Sequence, residues 1–243
     1  MPALSAADWL DVWEHSRTLA PVLQPCALLA PLLPDGQPAA QQLAIGRRDA
    51  LLLELNTALF GPQLNAVVPC PGCGEVLELA LSSEALRQPL SPLDTCALQL
   101  DWLNYRVDYR LVCSDDLATL DPDESLEEAR ERLLRRCVLS AEQDGVPIRF
   151  EQLPDALRTQ LVEAMATLDP QAALELELVC PSCSGAWREA FDIGGFLLES
   201  LGQWAERTLD QVHLLAHSYG WSEAQVLALS PARRASYLAR VLA

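Results

Sequence analysis

The sequence predicts an α+β fold in which helical segments at both ends and in the middle are interrupted by two short β-hairpins, each with a Cys-x-x-Cys at its tip. Three observations carry this prediction. Four of the eight cysteines fall into two pairs, Cys70-Pro71-Gly72-Cys73 and Cys180-Pro181-Ser182-Cys183. Leu77, Leu79 and Leu81 alternate with other residues after the first pair, as do Leu174, Leu176 and Leu178 before the second, which is the period of half-buried strands. Elsewhere, apolar residues recur at helical spacing behind recognisable caps. The chain then divides into an N-terminal helical segment (1–62), a first knuckle (63–81), an inserted α+β region (82–172), a second knuckle (173–193) and a C-terminal helical region (194–243).

Taken in order, Ser5 caps a first helix, with Asp8 three residues on and Trp9, Val12, Trp13 and Leu19 or Ala20 along one face. Pro21–Pro34 reads as a second short helix and Asp35-Gly36-Gln37-Pro38 as a loop. A third helix runs from about Arg47 to Leu59 and stops at Phe60-Gly61-Pro62. After the first knuckle, Cys96–Trp102 and Asn104–Val112 form an antiparallel hairpin. Ser125 and Glu128 make a capping box for a helix reaching about Ala141, with Glu128/Arg132 and Glu131/Arg135 pairs at i,i+4 and Leu126, Leu133, Leu134 and Cys137 on its apolar side. Cys113 follows the alternation of Tyr105, Val107, Tyr109 and Leu111, a packing position. Another helix covers Pro154–Leu168 until Asp169-Pro170 ends it. The last stretch is helical from Phe196 to Tyr219, stops at Gly220, restarts behind Ser222 with Gln225, and opens a final helix at Ser230-Pro231.

The paired cysteines are where chemistry is expected. A tight turn through Pro-Gly or Pro-Ser brings two thiolates onto one ion, and two such knuckles facing each other make a zinc ribbon. Here 106 residues lie between Cys73 and Cys180, where simple ribbons have about 15–20. The middle of the chain is therefore an insertion whose ends return to one small sheet, with Cys70, Cys73, Cys180 and Cys183 sharing one Zn2+. A thioredoxin-like redox pair and two metal-free turns are the alternatives. Strand patterning after both pairs disfavours the redox reading, because a low-pKa thiol usually sits at a helix N-terminus.

Composition narrows the function classes. The 243 residues carry 34 acidic and 17 basic side chains, a formal charge of −17. That field opposes phosphate backbones and anionic membrane surfaces and speeds association with a basic protein surface. All 17 basic residues are arginine, which excludes Schiff-base and Walker-type lysine chemistry. Pro21–Pro34 is too short and proline-rich to span a bilayer, and the N-terminus lacks a signal-peptide pattern, so a soluble cytoplasmic protein is expected. No nucleophile motif or phosphate loop is present. His213 and His217 share a helix face without the glutamate of a zinc-protease motif, and Asp115-Asp116 and Asp121-Pro122-Asp123-Glu124 read as loop and helix-start charges. The expectation is a protein that is not an enzyme and has no small-molecule substrate. Near the C-terminus, Trp221, Leu227, Leu229 and Tyr237 either pack on the preceding helix or face a partner. Arg233 and Arg234 suit a carboxylate on a partner or on the chain itself.

The order of these motifs resembles one family. Phe60-Gly61-Pro62, the first knuckle, Arg110-Leu111 with Ser114-Asp115-Asp116-Leu117, and Leu133-Leu134-Arg135-Arg136-Cys137 come first. Asp169-Pro170-Gln171-Ala172, the second knuckle, Trp187 and Phe191-Asp192-Ile193 follow. Val212-His213-Leu214-Leu215-Ala216, Tyr219-Gly220-Trp221-Ser222-Glu223, Leu227-Ala228-Leu229-Ser230, Arg233-Arg234 and Tyr237-Leu238 complete the series. The chain from about Gly46 to Leu242 is similar to the T4-type baseplate hub assembly proteins of contractile phage tails and phage-derived contractile injection particles. It departs from them at Val112-Cys113, where a Pro-Thr-like pair is expected, and at Ser184, where glycine is usual. The resemblance implies a non-enzymatic hub assembly factor or structural component with baseplate or hub proteins as partners, in the cytoplasm or incorporated into a phage-tail-like particle. A zinc-ribbon adaptor of another cytoplasmic complex and a Cys-x-x-Cys thiol oxidoreductase are the other classes.

Overall fold

A computed structural model describes residues 4–88 and 97–242. The chain is mixed α+β, with helices packed around three apolar clusters and small antiparallel sheets between them. Cys96, placed at the start of a strand by its sequence, lies outside the described residues.

The first cluster unites both ends of the chain. Helix α1 (Ala6–Ser16) starts at Ser5, whose hydroxyl accepts from the Asp8 N–H while the Asp8 carboxylate accepts from the Ser5 N–H. Trp9 and Trp13 are buried as expected, but α1 ends at Ser16, so Leu19 and Ala20 fall beyond it. Prolines break the Pro21–Pro34 stretch into 3-10 turns around the short buried helix α2 (Gln24–Leu29). The expected loop at Asp35–Pro38 is instead the start of α3 (Gly36–Gln42). Pro38 is tolerated there because first-turn N–H groups have no intrahelical acceptor to lose. Helix α4 (Ile45–Phe60) begins two residues earlier than expected and stops at Gly61, whose φ is +92°.

Helix α8 (Ile193–Tyr219) is the long element, about 40 Å at 1.5 Å per residue. Its sequence-based start at Phe196 is three residues late because Gly194-Gly195 reads as a breaker. A Cβ on Gly194 would lie 2.7 Å from Pro25 Cγ, so glycine here serves close packing of α8 on α2. Leu197, Leu201 and Ala205 of α8 then pack with Trp9, Trp13, Leu28, Leu29, Leu52, Leu53 and Leu55.

Two hairpins hang from this cluster. Strands β1 (Gln63–Pro69) and β2 (Val76–Ser82) pair from Gln63↔Ser82 to Pro69↔Val76. Strands β7 (Glu175–Val179) and β8 (Ala186–Ala190) pair from Glu175↔Ala190 to Val179↔Ala186. Leu64, Leu81, Leu174 and Leu176 anchor them. They form two separate two-stranded sheets rather than the single small sheet anticipated.

The insertion builds its own cluster. Strands β3 (Leu98–Trp102), β4 (Tyr105–Tyr109), β5 (Val138–Gln143) and β6 (Val146–Pro147) form an antiparallel sheet in that order. Val107, Tyr109, Leu134, Ala141, Leu157 and Leu161 fill its core with α6 (Leu126–Cys137) and α7 (Asp155–Leu168). The sequence carried α6 on to Ala141; in the structure α6 stops at Cys137 and β5 begins, paired to β4 by Tyr109↔Val138 and Val107↔Ala141. Ala141 kept the helical spacing of Leu134 and Cys137, so the period alone could not place the boundary. The signal overlooked was Asp144-Gly145, both at positive φ, a dipeptide that marks a two-residue hairpin turn. Leu126 is 91% exposed, not on the apolar side. Arg132 pairs with Glu124, Arg135 with Glu151 and Glu131 with Arg158, in place of the i,i+4 pairs.

A third, small cluster closes the far end of α8. Helices α9 (Glu223–Leu227) and α10 (Pro231–Val241) pack Val226, Trp221, Leu227, Tyr237, Leu238 and Val241 onto Val212 and Leu215.

Candidate metal centre

Each hairpin tip closes by the same hydrogen-bond pattern. The Cys70 N–H donates to Glu75 O (2.7 Å) and the Gly74 N–H to Cys70 O (2.9 Å). In the second tip the Cys180 N–H donates to Gly185 O and the Ser184 N–H to Cys180 O, both 2.9 Å. The residue after the second cysteine must be left-handed in both, with φ +76° at Gly74 and +58° at Ser184. Glycine adopts this conformation freely and serine at a cost of about 1–2 kcal/mol.

The two tips meet. Cys70 Sγ lies 3.7 Å from Cys183 Sγ and Cys73 Sγ 3.6 Å from Cys180 Sγ, and all four sulfurs lie within 4.8 Å of one another. Cys70 and Cys180 are buried while Cys73 and Cys183 are exposed, so the cluster has a dry side and a wet side. Burial opposes the Cys70 thiolate, but the Gly72 and Cys73 N–H groups and the facing thiols outweigh it and bring Cys70 down to about 7. At Cys73 the Glu75 backbone pulls downward and the Cys180 and Cys183 thiols more than reverse it, pushing it up to about 12. Four thiolates this close repel one another strongly unless a cation sits between them, so the arrangement is suited to a metal ion. The four cysteines singled out by spacing are thus brought together across the whole insertion.

Remote motifs converge on the structure that returns the second hairpin to the first. At the N-terminus of α4 the Ile45 N–H donates to Val112 O at 3.0 Å. The Gly46 N–H donates to Asp169 Oδ2, also at 3.0 Å. Ala44 offers no cap of its own, so Asp169 caps this helix from 123 positions away. Gln171 is buried; its Oε1 accepts from the Gln88 N–H (2.7 Å) and its Nε2 donates to Leu86 O (3.3 Å). Beside them lies an ion network that the sequence reading missed, having taken Asp115-Asp116 as helix-start charges. Asp116 does close the capping box of α5 (Ser114–Leu117). Its fully buried carboxylate also accepts from Arg110 Nη1 (2.5 Å), Arg110 Nη2 (2.8 Å), Arg136 Nε (2.8 Å), the Cys113 N–H (3.1 Å) and the Cys113 thiol (3.2 Å). Burial opposes the charge, but these donors prevail and hold Asp116 far below the usual carboxylate range. Cys113 is buried, as its packing position in the alternation led one to expect, and bridges Ala44 in antiparallel fashion; it is also the N-cap of α5. Cys137 is wholly buried, and that burial raises its thiol to about 12, in keeping with core filling. No spacing rule links Arg110, Asp116 and Arg136; only the sheet and α6 bring them together.

The C-terminal candidates are divided by the fold. Trp221 and Tyr237 stack and cross edge-on with Tyr219, at 4.8 Å (Tyr219–Trp221), 4.9 Å (Trp221–Tyr237) and 5.7 Å (Tyr219–Tyr237). They pack on α8 while keeping part of their surface outside. Arg233 is exposed, whereas Arg234 points inward and is buried. Neither makes an internal salt bridge among the described residues. His213 and His217 stack at 6.4 Å on the exposed face of α8.

Comparisons of the chain with protein-family models, curated proteins and solved structures found no match. Among the described residues, no helix is long and apolar enough to cross a membrane.

Proposed function

We propose that the four-cysteine cluster holds one Zn2+ as an interrupted zinc ribbon and that the chain is a non-enzymatic hub assembly factor or structural component of a contractile tail or injection particle. The observation that carries the metal reading is the sulfur geometry. A tetrahedron with Zn–S bonds of about 2.3 Å has edges of about 3.8 Å, close to the 3.6 and 3.7 Å contacts between the knuckles. All four ligands come from the protein, which leaves no open position for substrate and favours a structural role over a catalytic one. The oxidoreductase reading is disfavoured because the lowered thiol, Cys70, is the buried one, whereas a redox pair attacks through an exposed low-pKa sulfur.

The assembly reading rests on the order of motifs in the sequence. Its support from the fold is that those motifs are structural fittings: Asp169 caps α4, Gln171 ties the turn after β2, and Arg110, Asp116 and Arg136 form one node. Two measurements test the proposal separately. Chain purified without added metal should contain one zinc per molecule, lost in Cys70→Ser and Cys180→Ser; a zinc-free wild type overturns the metal reading. Deleting the coding sequence in its native host should abolish complete contractile particles, and normal particles from that strain overturn the assembly reading.

A further inference from the structure

The C-terminal end inverts the charge of the rest of the molecule. From Gln211 to Ala243 there are three arginines, Arg233, Arg234 and Arg240, and one acid, Glu223, in a chain whose acids outnumber its bases 34 to 17. Helix α10 itself carries no acid. Arg234 is 5% exposed, and its Nε and Nη1 are both out of water with no hydrogen-bond acceptor. On α10 it shares a stripe with Tyr237, Leu238 and Val241, the side packed toward α8, while Arg233 and Arg240, seven residues apart, lie along another stripe in solvent. Two guanidinium nitrogens taken out of water without an acceptor are costly to the fold. This chain pairs Arg110, Arg132, Arg136 and Arg158 internally, and among the described residues Arg234 has no such partner.

We propose that the end formed by the last turns of α8 with α9 and α10 is a docking surface for an acidic segment of another protein. Arg234 receives a carboxylate of that segment, Arg233 and Arg240 flank it, and the Tyr219–Trp221–Tyr237 group supplies apolar contact beside it. Arginine forks and half-exposed aromatic rings are the side chains that concentrate binding energy at interfaces. The three-helix cluster buries few residues, so a slight outward movement of α10 admits the incoming carboxylate at low cost. The proposal deepens the assembly reading by giving the partner its chemistry, at a site remote from the cysteines. Zinc content and particle yield do not decide it.

The test uses the full chain, an oligoglutamate peptide as probe and oligoglutamine as control, read by hydrogen exchange over residues 230–242. At about ten times its Kd, oligoglutamate should slow exchange there about tenfold, less at high salt, and oligoglutamine should not. Arg234→Met should raise the melting temperature of the free chain, because an unpaired buried charge gives way to an apolar chain of similar length, and should abolish the protection. Arg233→Glu with Arg240→Glu, both in solvent, should abolish protection with folding unchanged. A lower melting temperature for Arg234→Met makes the arginine structural and overturns the proposal. So does protection that survives in either variant, or its absence in the wild type.

Discussion

Asp116 shows how much one side chain can hold. Its carboxylate is fully buried and joins Arg110 on the approach to α5, Arg136 near the end of α6, and the Cys113 cap. Replacing it with alanine leaves two cations without their counter-charge and the Cys113 N–H without this acceptor, while Arg110 keeps the Leu111 and Arg136 carbonyls. Removing one member of a buried ion pair typically costs about 3–5 kcal/mol. Arg110 and Arg136 keep 35% and 40% of their side-chain surface in water, so about 2–4 kcal/mol is expected for Asp116→Ala, measurable by urea unfolding. The pH dependence follows from the depressed carboxyl. Its stabilisation is complete above the unfolded value, about 3.9, and is lost as pH falls from there through the lower folded value. The wild type should therefore lose stability below about pH 4 more steeply than Asp116→Ala, and parallel acid curves would refute this role. Such a node is invisible in the sequence because its members stand 6 and 20 positions apart on elements whose relation only the sheet defines.

At the scale of elements, α4 depends on a cap that its own sequence does not supply. The Gly46 N–H is satisfied by Asp169, and a Cβ on Gly46 would sit 1.8 Å from Asp169 Oδ1. Glycine to alanine inside a helix ordinarily stabilises by up to about 1 kcal/mol. Here Gly46→Ala should destabilise instead, and Asp169→Ala should cost about 1–2 kcal/mol as a lost cap. Combined, the two should cost less than the sum of the single losses, because the second change removes the atom with which the first collides. Additive losses in thermal unfolding would break the link between α4 and the Asp169 turn. The helices with local caps, α1, the one behind Ser125 and the two after Gly220, were legible from sequence because hydroxyl, carboxylate and amide partners stand three residues apart. A start is misread where a distant contact sets it, as at Gly194 against Pro25.

For the whole molecule, the cysteine cluster and the first apolar cluster constrain different things. Helices α1 to α4 and α8 share a core that does not include the four sulfurs, whereas the hairpin tips meet at them. If the cluster holds the proposed metal, chelation should lower the melting temperature and solubility and open both hairpins to protease, with most of the helical circular dichroism retained. Complete loss of helix on chelation would mean that the metal, not the core, holds α8 on the N-terminal helices. Metal affinity should fall with falling pH, since each thiol must give up its proton to bind; metal content followed across a pH series measures this.

The sequence alone determined the chemistry that resides in types and short spacings: the mixed α+β class, the two knuckles and their four cysteines, most of the helices, and the acidic surface. It did so because a turn, a cap or an amphipathic period is settled by residues a few positions apart. Tertiary structure decided that the knuckles meet as two separate sheets and that Asp116 and Asp169 hold distant elements. It also decided that Arg234, beside an exposed Arg233, turns inward. Each of these depends on the free energy of burying one segment against another, and no window of sequence contains both sides of that contact.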